Sequence, residues 1–390
     1  MLGENVQINL SDFQTIKNTV IENKIDMVVV GPEDYLVAGI HDYFLGDNYL
    51  QNIPVIGPKK DGAMLEGSKE FAKKFMINNK IPTASYQSFT IENMEEGLQY
   101  IKQQKLPIVL KADGLAGGKG VVISTTYEDA ERELIEMLQG TKFGKASSKV
   151  VIEEYLHGIE ISIFVLTDGI NYKILPTAKD YKRIDDGDNG LNTGGMGAVS
   201  PVPFADEVFI NKVEERIIIP TIEGLKKDGI DYKGFIFIGL MNVDGNPYVI
   251  EYNVRMGDPE TEVVVPRIKS DLVELFTAVA NRKLDEFDLQ IDEKAAATVM
   301  LVSGGYPSTY KTGFPISGIE NIKESLVFHA GTTSSKETGE VVTSGGRVLA
   351  VTSFGENIKE AVAKSYESIK KIEFSGMHYR KDIGKDLFND

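Results

Sequence analysis

Two runs that read as β-strand, 107–113 (PIVLKAD) and 120–124 (GVVIS), are joined through KADGLAGGKG at 111–120, which has four glycines and two lysines in ten residues. A glycine loop set between strands, rather than ahead of a helix, excludes two common phosphate-binding designs. A Walker loop needs a glycine five residues before its Gly-Lys pair and Ser or Thr after it, but Asp113 and Gly120 occupy those places. A dinucleotide fingerprint opens a helix, whereas Gly118-Lys119-Gly120 leads into the β-type run Val121-Val122-Ile123-Ser124. What remains is a hairpin flap whose backbone N–H groups can fold over phosphates while Lys111 and Lys119 supply charge. By itself the pattern also fits a mobile surface hairpin with two solvated lysines.

The rest of the chain sets limits on what such a flap serves. With 390 residues, 42% hydrophobic and 26% charged, there is material for two or three domains with real cores. A formal net charge of −16 opposes polyanions, so no nucleic-acid or acidic-membrane partner is expected and an anionic ligand must be held by local cations or metal. No apolar run approaches the roughly 18–20 residues of a membrane span, and the start, MLGENVQINL, lacks the regions of a signal peptide. A cytoplasmic, soluble chain is expected. The absence of cysteine excludes disulfides, thiolate metal sites and a cysteine nucleophile. His41, His157, His329 and His378 have no metal-ligand spacing and read as surface or core residues.

The fold class expected is mixed α/β. VQIN (6–9), MVVV (27–30) and IPVIG (53–57) read as strands, with a helix capped by Ser11-Asp12 between the first two, a βαβ rhythm. A helix starts near Ser68, and strand and helix then alternate to Tyr155. A single helix is expected from about Ala205 to Asp228, and Asp244-Gly245-Asn246 marks a hairpin between two apolar runs. A further helix is expected around 270–282, and from Ala295 the pattern restarts as a third domain.

Three more constellations carry chemistry. In a strand over 250–255, Glu251, Asn253 and Arg255 share one face; a carboxylate with an amide oxygen suits Mg²⁺, and a guanidinium can clamp a phosphoryl group. An exposed polar strand face is the plain alternative. VVIEEYL (150–156) reads as a strand entering a hinge, with Glu160 beyond it, which can present an adenine edge and a ribose acceptor or simply solvated acids. NTGGMGA (192–198), after Asp180, Lys182 and Arg183, is either a loop that lets backbone approach an anion or a plain flexible loop.

Taken together, KADGLAGGKG, VVIEEYL, NTGGMGA and IEYNVRMGDPE, in this order and spacing, resemble the phosphoribosylamine–glycine ligase family of the ATP-grasp superfamily. GPE (31–33), LEGSKEFAKKFM (65–76), VSGGYP (302–307), FHAGT (328–332) and TSGGRVLAVT (343–352) extend the resemblance over essentially the whole chain. It implies a substrate-binding βαβ domain at 1–65, an ATP-grasp core at 66–294 whose lid lobe is 85–157, and a small C-terminal α/β domain at 295–390. The implied reaction joins glycine to 5-phosphoribosylamine with ATP and Mg²⁺ or Mn²⁺, through a glycyl phosphate, in purine synthesis, by a monomer. Carried over by position, Lys111 and Arg255 are the catalytic residues. Lys111, Gly114, Leu115, Ala116, Gly117, Gly118, Lys119 and Gly120 cover the ATP phosphates, Glu153, Tyr155 and Leu156 line the adenine hinge, and Glu160 meets the ribose. Glu251 and Asn253 are the metal ligands. Glu33, Asp180, Lys182, Asn192, Thr193, Gly194, Gly195, Met196 and Gly197 line the phosphoribosylamine and glycine site.

The chain departs from the family pattern in three places. Gly117 replaces a usual alanine, a mild change, and Tyr181 a usual histidine, which is expected to alter local hydrogen bonding. A turn of the form GxGGREHA, which helps to bind the substrate phosphate in the family, is not found before the second strand. Loss of the first βα unit, an unpaired sheet edge and weak ligation with intact ATP binding are the expectation. The competing readings are another ATP-grasp carboxylate–amine ligase or carboxylase, and a non-catalytic nucleotide-binding protein.

Overall fold

A computed structural model describes residues 3–117 and 119–388. Near the start, strands Val28–Val29 and Val55–Ile56 pair in parallel, with the crossover running through helices Glu33–Ala38 and Ile40–Gly46. That is the expected βαβ rhythm, but the strand expected at 6–9 does not form: the segment is irregular and Val6 is exposed. Alternating apolar residues do not make a strand without a neighbour to take the backbone hydrogen bonds. The following helix, Phe13–Glu22, does begin at the Ser11-Asp12 signal, with Asp12 accepting from the Gln14 and Thr15 N–H groups.

Helix Lys69–Asn78 is capped by Ser68, which accepts from the Phe71 N–H at 3.1 Å. A second helix, Lys60–Gly67, precedes it and was not legible in the sequence, because Gly62 and Gly67 weaken the helical signal. Packing supplies the reason for glycine at 62: a Cβ there would sit 2.8 Å from the Tyr232 ring.

The lid lobe is a four-stranded antiparallel sheet in the order Tyr86–Thr90, Lys149–Glu154, Ile108–Ala112, Val121–Ser124. Helices Met94–Gln103 and Tyr127–Leu138 cover one face, burying Phe89, Ile108, Leu110, Leu134 and Ile152. The glycine loop therefore does join two antiparallel strands, Lys111 pairing with Val121.

A second antiparallel sheet runs Asn246–Asn253, Gly234–Val243, Ile159–Thr167, Tyr172–Ile174. Its hairpin turns on Asp244 (φ +50°) and Gly245 (φ +76°), the left-handed pair that a two-residue turn demands. The single helix expected over 205–228 is instead Glu207–Val213, a π-helical turn Glu214–Ile218, and Ile219–Lys227. Pro220 has no N–H to continue the regular ladder, so the turn widens just ahead of it.

The third large sheet orders Leu326–His329, Arg347–Gly355, Ala295–Val302, Gly197–Ser200, Lys179–Asp180. Two of its five strands come from 179–200, far upstream of the other three. The end of the chain grips the same region. Arg380 is 1% exposed and bonds Asp382, Asp188 and the Arg183 carbonyl, while Tyr181 donates to Asp386 at 2.5 Å.

Candidate active site

Strand Asn246–Asn253 brings Glu251 and Asn253 to one face, then ends; Arg255 lies in the bend beyond it, so the alternation expected through 255 stops at 253. The guanidinium is nonetheless placed beside Asn253. Its Nη2 donates to Glu66 Oε1 at 2.8 Å and to Asn253 Oδ1 at 3.4 Å, and its Nε donates to Glu33 Oε2 at 3.3 Å. Glu33, at the start of helix Glu33–Ala38, thus arrives from more than 200 residues away. Burial pushes the Glu66 carboxyl up to about 7, although Arg255 and the Val254 N–H oppose it. Burial alone would also raise Glu251, but Lys182, Lys111, Lys69 and Arg255 outweigh it and hold this carboxyl below its ordinary value. An ionised carboxylate beside an amide oxygen is the donor set that Mg²⁺ accepts, with water and phosphate completing the shell.

Lys111 crosses from the lid to the second sheet. Its Nζ donates to the Ile250 carbonyl at 3.1 Å and stands 3.0 Å from Glu153 Oε2. The same Glu153 oxygen takes Lys73 Nζ, also at 3.0 Å, while Oε1 is buried with no partner among the described residues. A buried carboxylate oxygen left open is costly unless a ligand donor fills it. Tyr155 and Leu156 follow directly after strand Lys149–Glu154, with the Tyr155 ring centroid 4.8 Å from that of His157. Glu160, on strand Ile159–Thr167, is bound to Lys182 at 2.6 Å.

At the flap, the Gly114 N–H donates to Ala146 and the Lys119 N–H to Ala116, with Gly117 and Lys119 exposed and Leu115 and Ala116 half-buried. Gly118 lies outside the described residues. The Gly120 carbonyl accepts from Ala112, and Asp113 ties the flap base to helix Lys69–Asn78 by accepting from Ser68 Oγ and the Glu70 N–H. Gly117 has φ +56° and open space where a Cβ would be, so glycine is used there for its backbone freedom.

On the other side, Lys182 stands between Glu160 and Asp180. Thr193 Oγ donates to the Lys182 carbonyl and accepts from the Gly195 N–H. Gly194 is held at both backbone ends: its N–H donates to the Tyr306 hydroxyl at 3.0 Å, and its carbonyl accepts from Arg347 Nη1 at 2.6 Å. Arg347 also pairs with Asp258 at 2.5 Å, joining this loop to the Gly-Asp-Pro-Glu turn. Gly195 has φ +111°, and a Cβ would fall 2.3 Å from Pro259 Cδ, so no larger residue fits between the two segments.

Two expectations for this loop, Met196 and Gly197, are corrected. Met196 is fully buried among Ile184, Met300, Val302 and Ala350, so its side chain serves the core and does not line a cleft. Gly197 is a sheet residue opposite Val299, with no room for a ligand beside it. Asn192 closes a small hairpin strand, Asn189–Asn192, opposite Arg183. Apolar burial and strand pairing claim the end of the loop, and its open part finishes at Gly195.

Sequence reasoning missed Glu66, Lys73, Tyr306 and Arg347, and gave no role to Glu260, a buried acid accepting from Ser162 whose carboxyl is raised first by burial and then by Asp180. The one available signal was Lys73: a lysine on the helix face shared by Ala72, Phe75 and Met76 is out of pattern unless something charged meets it. Among the described residues no group of three or more His, Cys, Asp or Glu side chains is placed to hold a metal.

A glycine loop on an antiparallel lobe, whose lysine reaches the strand that carries a carboxylate and an amide at the end of a second antiparallel sheet, defines an ATP-grasp protein. The comparisons agree and narrow it. Family models described as the N domain, the ATP-grasp (A) domain and the C domain of phosphoribosylglycinamide synthetase match residues 1–66, 67–261 and 296–386. Phosphoribosylamine–glycine ligase of Vibrio vulnificus is 46% identical over 98% of this chain and 88% of its own length, and that of Escherichia coli K12 44% over the same shares. The crystal structure of phosphoribosylamine–glycine ligase from Thermotoga maritima superposes with a TM-score of 0.83 at 37% identity, covering 97% of this chain and 90% of that one. The biotin carboxylase domain of Hydrogenobacter thermophilus 2-oxoglutarate carboxylase, at 18% identity and TM-score 0.73, shares the fold alone. The chain belongs to the phosphoribosylamine–glycine ligase family, a family of ligases.

Proposed function

We propose that this chain joins glycine to 5-phosphoribosylamine with ATP and Mg²⁺ or Mn²⁺, giving glycinamide ribonucleotide, ADP and phosphate, as a cytoplasmic monomer. The observation that carries the reading is Arg255, on which Glu33, Glu66 and Asn253 converge from three separate segments within 3.4 Å.

In this reading a glycine carboxylate oxygen bonds to the γ-phosphorus as the bond to ADP breaks. The amine of phosphoribosylamine then bonds to the activated carbonyl carbon, phosphate leaves, and the amine gives up a proton. Glu251 and Asn253 would hold the metal, which supplies charge neutralisation to the triphosphate. Arg255 lies beside them and stabilises charge on the transferring phosphoryl group. Lys111 turns toward the phosphates from its place between Glu153 and Ile250, and the flap from Gly114 to Gly120 excludes water above them. Glu153, Tyr155, Leu156 and Glu160 take the nucleoside. Glu33, Asp180, Lys182 and the loop from Asn192 to Gly195 face the second substrate. No protein nucleophile is needed, so rate comes from positioning and electrostatics.

Phosphate release measured with each substrate omitted in turn tests this. Turnover requiring both glycine and phosphoribosylamine is expected. ATP hydrolysis indifferent to glycine, or dependent on bicarbonate in its place, overturns it.

A further inference from the structure

Lys73 plays no part in the chemistry just described, yet it is one of the most deeply buried charges in the molecule, 2% exposed. Its three ammonium protons are matched by three acceptors: Glu153 Oε2 at 3.0 Å, Thr83 Oγ at 2.8 Å and the Ala84 carbonyl at 3.2 Å. Thr83 in turn donates to the Val249 carbonyl, so the lysine is anchored where the lid meets the second sheet. With its donors spent, it has nothing left to offer a ligand. It acts only through Glu153.

Glu153 is a carboxylate with two unlike oxygens. Oε2 takes both Lys73 and Lys111, and Oε1 is buried and open among the described residues. Lys111 also bonds Ile250 and, under the function proposed above, moves toward phosphate. Lys73 is then the cation that stays, holding Oε2 and with it the rotamer that leaves Oε1 without a partner among the described residues. A carboxylate oxygen in that position accepts from an amino group and repels a carbonyl. We propose that Lys73 is a positioning residue for nucleobase selection, holding Glu153 so that its unpartnered oxygen takes a 6-aminopurine and rejects a 6-oxopurine. The inference rests on the reading of Glu153 as part of the nucleotide hinge.

The test is binding of ADP and of GDP, each with Mg²⁺, to the full chain by titration calorimetry, with melting temperatures alongside. The unaltered protein is expected to prefer ADP, Lys73→Met to lose about tenfold of that preference, and Lys73→Arg to retain most of it. Should Lys73→Met not fold, Thr83→Val removes one anchor without removing the charge and is expected to lower the preference by about threefold. A folded Lys73→Met that weakens both nucleotides equally, or leaves their ratio unchanged, overturns the proposal, as does an unchanged ratio in Thr83→Val. If the unaltered protein binds both nucleotides equally, base selection falls while the nucleotide site stands. If it binds neither, the reading of the hinge itself has failed.

Discussion

Arg255 is a charge with two carboxylates arranged around it, and removing it leaves both unpaired. Arg255→Ala is expected to lower kcat for glycine-dependent phosphate release by about 10²–10³, the usual loss when a transition-state donor is removed. ADP binding should change little, and calorimetry on the same variant checks that. Glu262 offers a separate measurement at this scale. Its Oε2 is buried with no partner among the described residues, and burial, then the charge of Asp258, pushes its carboxyl up to about 7. Below pH 4.5 the folded and unfolded chains both carry this proton; between 4.5 and about 7 only the folded chain does, so its contribution to stability falls as pH rises through that window. Glu262→Gln is expected to raise the melting temperature by a few degrees at pH 8 and to leave it unchanged at pH 4; an equal gain at both values would show the shift to be absent. These acids mark the limit of sequence reading. Glu251 and Asn253 were legible because strand alternation puts them on one face, and Arg255 because it follows Asn253 by only two residues. Glu66 and Lys73 were not, because what makes each one matter is a partner at least 80 residues away.

At the scale of elements, short-range grammar was the most legible. The Asp244-Gly245 turn, the Asp12 and Ser68 caps and the strand–loop–strand flap all follow from a few adjacent residues. Where a neighbour decides, the pattern misled: VQIN had no partner to pair with, and Met196 was read as loop although the C-terminal sheet buries it. Two expectations belong here. Gly245→Ala, at φ +76°, should cost about 1 kcal/mol in denaturant unfolding and leave ADP affinity unchanged. The exposed Lys119 should be cut rapidly by trypsin in the free protein and slowly when Mg²⁺ and ATP are added, as read by the appearance of the two fragments on a gel.

Across the whole molecule, the C-terminal region is structurally continuous with the candidate site. Arg347 and Tyr306 hold Gly194 from both sides, and Arg347 fastens Asp258 to the same loop. Arg347→Met is expected to raise KM for phosphoribosylamine about tenfold or more while ADP binding stays as it was, with steady-state kinetics and calorimetry read in parallel. The sheet that incorporates 179–180 and 197–200 also sets an order of assembly on the ribosome. Strand Gly197–Ser200 is synthesised about a hundred residues before its partner Ala295–Val302, a wait on the order of ten seconds at typical elongation rates. The lid and the second sheet, complete by residue 253, have what they need to fold in that interval. The nascent chain can thus assemble its flap-bearing half first, and the loop at 192–195 is set only when the last strands arrive.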